Sequence, residues 1–164
     1  MSLANKDNQD LMVLDPFDRV NMTQKKEMSK IFLSYTRADR DDGQKLGRLL
    51  SQQRPNLRIF TTDTLSAGED WRSRLKDELT QCDLFIVILS PNSIDSDWVL
   101  QELGAAWAID KPIIPVVTQP GLLTRIPVDL KDVQVVELKD IEKPEVINQI
   151  LERYEAAVTS TDVN

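Results

Sequence analysis

One acidic residue lies on an otherwise apolar face of a predicted helix. A spacing of four residues places Trp98 and Glu102 on the same helical face. The apolar face continues through Ala105, Ala106 and Ile109. Because burial of an unpaired charge is costly, a carboxylate in this position needs either a structural partner or a functional reason. Glu102 is therefore the first candidate for chemistry in this chain.

The residue types that are missing narrow that chemistry. The chain has no histidine and one cysteine, Cys82. These absences exclude a Ser-His-Asp triad, a Cys-His pair, a zinc site with histidine ligands and a CxxC pair. The five glycines fit neither a P-loop nor a GxGxxG motif. Two interpretations of Glu102 stay open: a structural ion pair with an arginine such as Arg37 or Arg72, or a catalytic carboxylate.

Alternating strands and helices must position this carboxylate. β-rich or apolar runs predict strands at residues 30–35, 57–60, 83–90, 113–117 and 133–138. Helical spacing predicts helices over residues 39–53, 69–81, 97–110 and 143–157, with Ser96 capping the third. This alternation predicts an α/β fold with a flavodoxin-like, doubly wound, five-stranded parallel sheet of order 2-1-3-4-5 and helices on both faces.

The predicted strands differ in their surroundings. Leu84–Leu89 is a run of six apolar residues, which indicates a central strand that is buried on both faces. Pro115 lacks a backbone N–H, so its strand should lie near the sheet edge or contain a bulge. Ligands of such folds bind beyond the carboxyl ends of the strands. That rule directs attention to residues 35–39, 61–70 and 90–95.

Length, composition and net charge limit the classes of protein to which this chain can belong. The chain of 164 residues suits one domain, predicted at 30–158, with an N-terminal arm or extension at 1–29 and a polar tail at 159–164. Its start lacks the order of a secretory signal, and no apolar run reaches the ~20 residues of a membrane helix. We therefore expect a cytoplasmic protein without a membrane partner. The net charge of −7 argues against direct binding of nucleic acid.

Five segments in fixed order resemble the TIR (Toll/interleukin-1 receptor) domain family. They are Ile31–Tyr35, Ile59–Asp63, Leu65–Gly68, Leu84–Pro91 and Ser96–Leu103, and the resemblance covers roughly residues 30 to 157. Each segment alone is weak evidence for the family, but the five segments in this order on the predicted strands and loops are specific evidence. Trp98 and Glu102 match the WxxxE motif of TIR domains that cleave NAD, a branch with bacterial members, in which the glutamate is required for activity.

The resemblance implies an NAD glycohydrolase that releases nicotinamide and ADP-ribose or a cyclic ADP-ribose, in immune or anti-phage signalling. NAD would be the substrate, and no cofactor is implied. The cationic nicotinamide leaves without protonation, so one carboxylate that stabilises an oxocarbenium-like transition state can suffice. The alternative is a non-catalytic adaptor that acts through TIR–TIR association. A phospho-acceptor receiver is disfavoured because Tyr35-Thr36-Arg37 stands where an acidic cluster would be needed.

The resemblance also implies roles for individual residues. Besides the catalytic Glu102, the substrate-binding residues would be Tyr35, Arg37, Ser66, Trp71, Ser90 and Trp98. Residues 61–70 would mediate association with other TIR domains and gate the pocket, through Asp63, Leu65 and Gly68. Simpler alternatives stay open: a surface pair of Arg37 with Asp39, core packing of either tryptophan, and a plain turn at 61–70 that Ser66, Gly68 and Asp70 support.

Overall fold

Five parallel strands form one sheet in the computed structural model, which describes residues 30–64, 70–130 and 132–161. The strands are β1 (Lys30–Ser34), β2 (Arg58–Phe60), β3 (Leu84–Leu89), β4 (Ile113–Val117) and β5 (Val136–Glu137). Their order is β2-β1-β3-β4-β5, and every pairing is parallel. The predicted fold and strand order are confirmed. The predicted arm at 1–29 lies outside the described residues.

The centre of the sheet is β3, as the apolar run predicted. All six of its residues are buried, because helices cover both faces of the sheet. β4 is second from the edge, and β5 pairs only with Val116 and Val117. Pro115 precedes that short pairing, so its missing N–H falls in the part of β4 before β5 begins.

Four α-helices connect or follow these strands. They are α1 (Arg40–Gln53), α2 (Trp71–Gln81), α3 (Asp97–Ala108) and α4 (Pro144–Thr161). Three helix ends coincide with the predicted ones, and the others differ by one to four residues, as helix ends generally do. α2 begins after Asp70, whose carboxylate accepts hydrogen bonds from the backbone N–H and the hydroxyl of Ser73. No helix of the described ranges is long and apolar enough to cross a membrane.

Two hydrophobic clusters lie on opposite faces of the sheet. One contains Ile31 and Leu33 of β1 with residues of α1 and α4. The other contains Phe32 of β1 with Leu79 of α2 and Leu103 of α3. Because successive side chains of a strand alternate between faces, Phe32 and Ser34 lie on the same side. The last residue of β1 therefore lies on the face that α2 and α3 cover.

Candidate active site

The local sequence of α3 brings Glu102 against the sheet. The Ser96 hydroxyl caps the helix by accepting a hydrogen bond from the backbone N–H of Val99, at 3.4 Å. The buried residues of α3 are Val99, Glu102, Leu103 and Ala106. The prediction that Ala105 and Ile109 continue this face is wrong, because both are exposed and Ile109 lies just beyond the helix. The buried face is rotated toward Val99 and Leu103, which fit the apolar side of the sheet.

The carboxyl group of Glu102 is almost completely buried, with the residue only 3% exposed. Ser34 Oγ, at the end of β1, donates a hydrogen bond to Glu102 Oε2. The other oxygen, Oε1, has no hydrogen-bond partner among the described residues. The alternative that Glu102 pairs with Arg37 or Arg72 is wrong, because Oε1 has no partner in the described part of the chain and neither arginine is among the groups that affect the pKa of Glu102.

Burial without a cation changes the ionisation of this group. Loss of solvation raises the pKa of Glu102 from its ordinary value of 4.5 to about 7. Hydrogen bonding by Ser34, and then by Trp98, acts in the opposite direction because both donors favour the ionised form. No charged side chain of the described strands and helices contributes to this shift. The site therefore holds a carboxyl group that changes charge near neutral pH.

Two tryptophans lie near this site: Trp98, which acts on the Glu102 carboxyl, and Trp71, which packs against Trp98. Trp98 is half-buried in the first turn of α3, and Trp71 begins α2. Their ring centres are 5.1 Å apart, with an angle of 47° between the planes. Trp71 is 39% exposed, so the interpretation of Trp71 as a core residue is wrong. The pair presents a partly exposed aromatic surface at the predicted pocket.

Tyr35 follows β1 and connects it to the segment after β2. Its ring is buried against α1, where a Cβ atom at Gly43 would lie 2.4 Å from two ring carbons. The Tyr35 hydroxyl donates to Asp63 Oδ2 at 2.9 Å, and Arg40 Nε lies 3.2 Å from the same oxygen. Burial is the largest cause that raises the pKa of Tyr35. These contacts fix the base of the predicted association loop to β1 and α1.

Ser90 is the centre of a buried hydrogen-bond network at the end of β3. Its hydroxyl donates to Asp39 Oδ2 at 2.7 Å and accepts from the backbone N–H groups of Asn92 and Ser93, each at 3.1 Å. Asp39 Oδ2 also accepts from Thr36 Oγ1 at 2.6 Å. The alternative that Asp39 pairs with Arg37 is therefore wrong. The network ties the loop after β1 to the loop after β3.

The structure brings together only part of the predicted site. Glu102 and Trp98 lie in α3, Trp71 lies beside them, and Tyr35, Arg37 and Ser90 follow the carboxyl ends of β1 and β3. The remaining predicted residues, Leu65, Ser66 and Gly68, lie outside the described residues.

Sequence reasoning missed Ser34, and it named Asp39 only as a surface partner of Arg37. Strand alternation was a usable signal for Ser34, because it places this serine on the side of Phe32. Within the described part of the chain, no group of three acidic or cysteine side chains could hold a metal ion.

Comparison with known proteins gives the following similarities. The family model described as "TIR domain" matches residues 31–151. No curated protein sequence matches the chain significantly. Among solved structures, a conserved protein from Enterococcus faecalis V583 is similar with a TM-score of 0.53 and 15% identity, over 74% of this chain and 98% of that chain. The likeness to that structure concerns the fold alone.

A second similar structure contains the TIR domains of the activated Roq1 resistosome directly recognising the pathogen effector XopQ. It has a TM-score of 0.49 and 20% identity, over 83% of this chain and 85% of that chain.

Proposed function

The chain belongs to the TIR domain family, and from that premise we propose that it cleaves the nicotinamide–ribose bond of NAD, with Glu102 as the catalytic carboxylate. The products are nicotinamide and ADP-ribose, or a cyclic ADP-ribose, and the biological setting is immune or anti-phage signalling. The observation that carries this proposal is the state of Glu102, which is 3% exposed and, among the residues that the structure describes, has neither a cation beside it nor a partner for Oε1.

This state suits a reaction that develops positive charge. When the C–N bond breaks, its electron pair moves to the nicotinamide nitrogen and neutralises the pyridinium ring, while the ribose gains oxocarbenium character. A carboxylate in a site of low polarity stabilises that charge more strongly than it would in water. In hydrolysis, water then bonds to C1′ and releases a proton, so the products are nicotinamide, ADP-ribose and H⁺. A purely structural acceptor for Ser34 would not need a charge.

The surroundings of Glu102 suit the substrate. Trp98 and Trp71 offer aromatic faces for a planar ring, and Arg72 places a cation over Trp71 at 5.1 Å. Arg37 is exposed at the end of β1, where its guanidinium can reach a pyrophosphate. We assign these side chains to substrate binding rather than to the chemical step.

Burial also suggests how activity is controlled. A carboxyl group that is 3% exposed must be uncovered before it can contact ribose. We propose that association with other TIR domains, through the segment that contains Asp63, uncovers it. Nicotinamide release should then rise more steeply than protein concentration. A rate strictly proportional to protein over a wide range, with no larger species in light scattering, would contradict this assembly step.

The direct test is release of nicotinamide from NAD by the purified protein, followed by chromatography. Glu102→Gln preserves the shape of the side chain and removes its charge, and we expect a loss of activity of ~10²–10³-fold or more. Glu152→Gln is the matched control, because Glu152 is exposed in α4 and the change in charge is the same. Full turnover by Glu102→Gln would refute the assignment. Absence of turnover in an associating wild-type protein would favour the adaptor role.

A further inference from the structure

Ser34 is a buried polar side chain at a point where β1 is otherwise apolar. It is 0% exposed and pairs in register with Val87 of the central strand. Strand alternation directs it toward the face that α3 covers. Its hydroxyl proton is donated to Glu102 Oε2, across 68 residues of sequence. Ser34 is too deeply buried to contact a substrate itself.

The hydrogen bond from Ser34 makes the two oxygens of Glu102 different. Oε2 has a donor, while Oε1 has no partner among the described residues. Trp98 also acts on the carboxyl group, from the same helix. A serine hydroxyl has one proton, so the bond to Oε2 fixes the rotation of the carboxyl plane and favours its charged form.

We propose that Ser34 is a positioning residue for the reaction, which orients Glu102 so that Oε1 is the oxygen offered to the ribose and favours the ionised form of the group. The catalytic role of Ser34 in this proposal rests on the proposed cleavage of NAD. Its structural half, the control of Glu102 by Ser34, can be measured without any substrate.

The direction of the effect follows from the causes of the shift. Burial raises the pKa of Glu102, and Ser34 is the largest cause that lowers it. Within the described structure no charged group faces the carboxyl closely enough to contribute, so no other charge can compensate when the hydroxyl is removed. Loss of Ser34 should therefore raise the pKa of Glu102 further.

The test begins with the protein alone. The side-chain carboxyl of Glu102 is titrated by ¹³C NMR and identified by its loss in Glu102→Gln. Ser34→Ala should raise the pKa by roughly one pH unit, the size expected for a hydrogen bond to a charged group. Ser34→Cys, with a weaker S–H donor, should lie between the two and gives a second variant if the alanine variant does not fold. An unchanged titration in the folded variants would overturn the proposal.

A control separates specific from general effects. Ser93 is also 0% exposed, but its hydroxyl contacts the backbone of Ser90 and not Glu102. Ser93→Ala should destabilise the fold without moving the titration of Glu102. If it moved the titration as much as Ser34→Ala, the effect would be one of general loosening and the proposal would fail.

Kinetic measurements test the proposed role of Ser34 in catalysis. In Ser34→Ala the acidic limb of kcat/KM should move to higher pH, in the direction that NMR measures, and Ser34→Cys should restore part of this shift. A shifted titration with an unmoved limb would overturn the positioning role. If the wild-type protein cleaves no NAD under any assembling condition, the proposed function fails, while the NMR titration still decides whether Ser34 controls Glu102.

Discussion

The burial of Glu102 predicts how the stability of the domain depends on pH. The native pKa of about 7 lies above the ordinary value of 4.5, so the folded state binds this proton more tightly than the unfolded state does. The sign follows directly: the contribution is fully present below pH ~4.5 and is lost as the pH rises through 7. At ~1.4 kcal/mol per pH unit, the raised pKa corresponds to about 3 kcal/mol of unfolding free energy.

The assay is urea unfolding of wild type and Glu102→Gln at several pH values between 4.5 and 8. Glutamine cannot ionise, so the free energy of its variant lacks this term, and subtraction removes the titration of all other groups. The difference between variant and wild type should move by about 3 kcal/mol in favour of the variant as the pH rises. The absolute offset includes ~1–3 kcal/mol for the unpaired amide N–H groups, so the slope is the quantity to compare.

Two other outcomes of this unfolding experiment would refute the predicted pH dependence. If Glu102 were held by an ion pair, its native pKa would be lowered, and Glu102→Gln would become less stable relative to wild type as the pH rises. A flat difference from pH 4.5 to 8 would mean that the carboxyl is solvated in solution. Either result would refute the description of Glu102 as a buried, uncompensated acid. Glu152→Gln should follow the wild-type curve, because Glu152 is exposed.

Three further outcomes are expected. The acidic limb of kcat/KM for nicotinamide release should lie near pH 7. The acidic limb of kcat should lie at lower pH, because bound cationic NAD favours the ionised carboxylate. Acidic limbs below pH 5 in both profiles would contradict this expectation. Gly43→Ala should destabilise the domain by ~1–3 kcal/mol in urea unfolding, because the added Cβ would lie 2.4 Å from the Tyr35 ring. Gly47→Ala in the same helix is the control, because its added Cβ makes only ordinary contacts and should not destabilise the domain. Asp39→Ala should lower the free energy of unfolding by ~1–3 kcal/mol, because it removes the acceptor of one buried and one partly buried hydroxyl group. A loss no larger than that of the exposed Asp41→Ala would show that the network is unimportant.

The sheet could be predicted from the sequence because its strands are short apolar runs. β3 and β4 carry this signal in full, since helices cover both faces of the sheet. β5 does not. The predicted strand at 133–138 reduces to Val136–Glu137, because it lies at the edge with one neighbour and Val135 is 39% exposed. The periodicity of apolar residues indicates which side chains are buried, and an edge strand buries fewer side chains than a central one.

The site was less predictable, because its contacts join distant parts of the chain. A helical pattern shows that Glu102 lies on a helix face, but not which donor reaches it from β1. The same limit applies to Ser90, whose hydroxyl contacts Asp39 from 51 residues away. The sequence marks Ser90 as a strand-end hydroxyl. Only the packing of the strands shows that its proton is already bound within the protein.

The position of the pKa of Glu102 near neutrality links its ionisation to the charge of a ligand. A group that titrates at about 7 is close to half protonated in a neutral solution. If NAD is the substrate, as we propose, a pyridinium ring that binds beside Oε1 favours the carboxylate, and the carboxylate favours the ring by the same free energy. When the C–N bond breaks, positive charge passes from the ring to the ribose, and the carboxylate is already ionised to meet it. A neutral dihydronicotinamide offers no such charge and leaves Glu102 close to half protonated at neutral pH. Under the proposed function, the burial that costs the domain stability at high pH would therefore make the site respond to the oxidised, cationic form of the nucleotide.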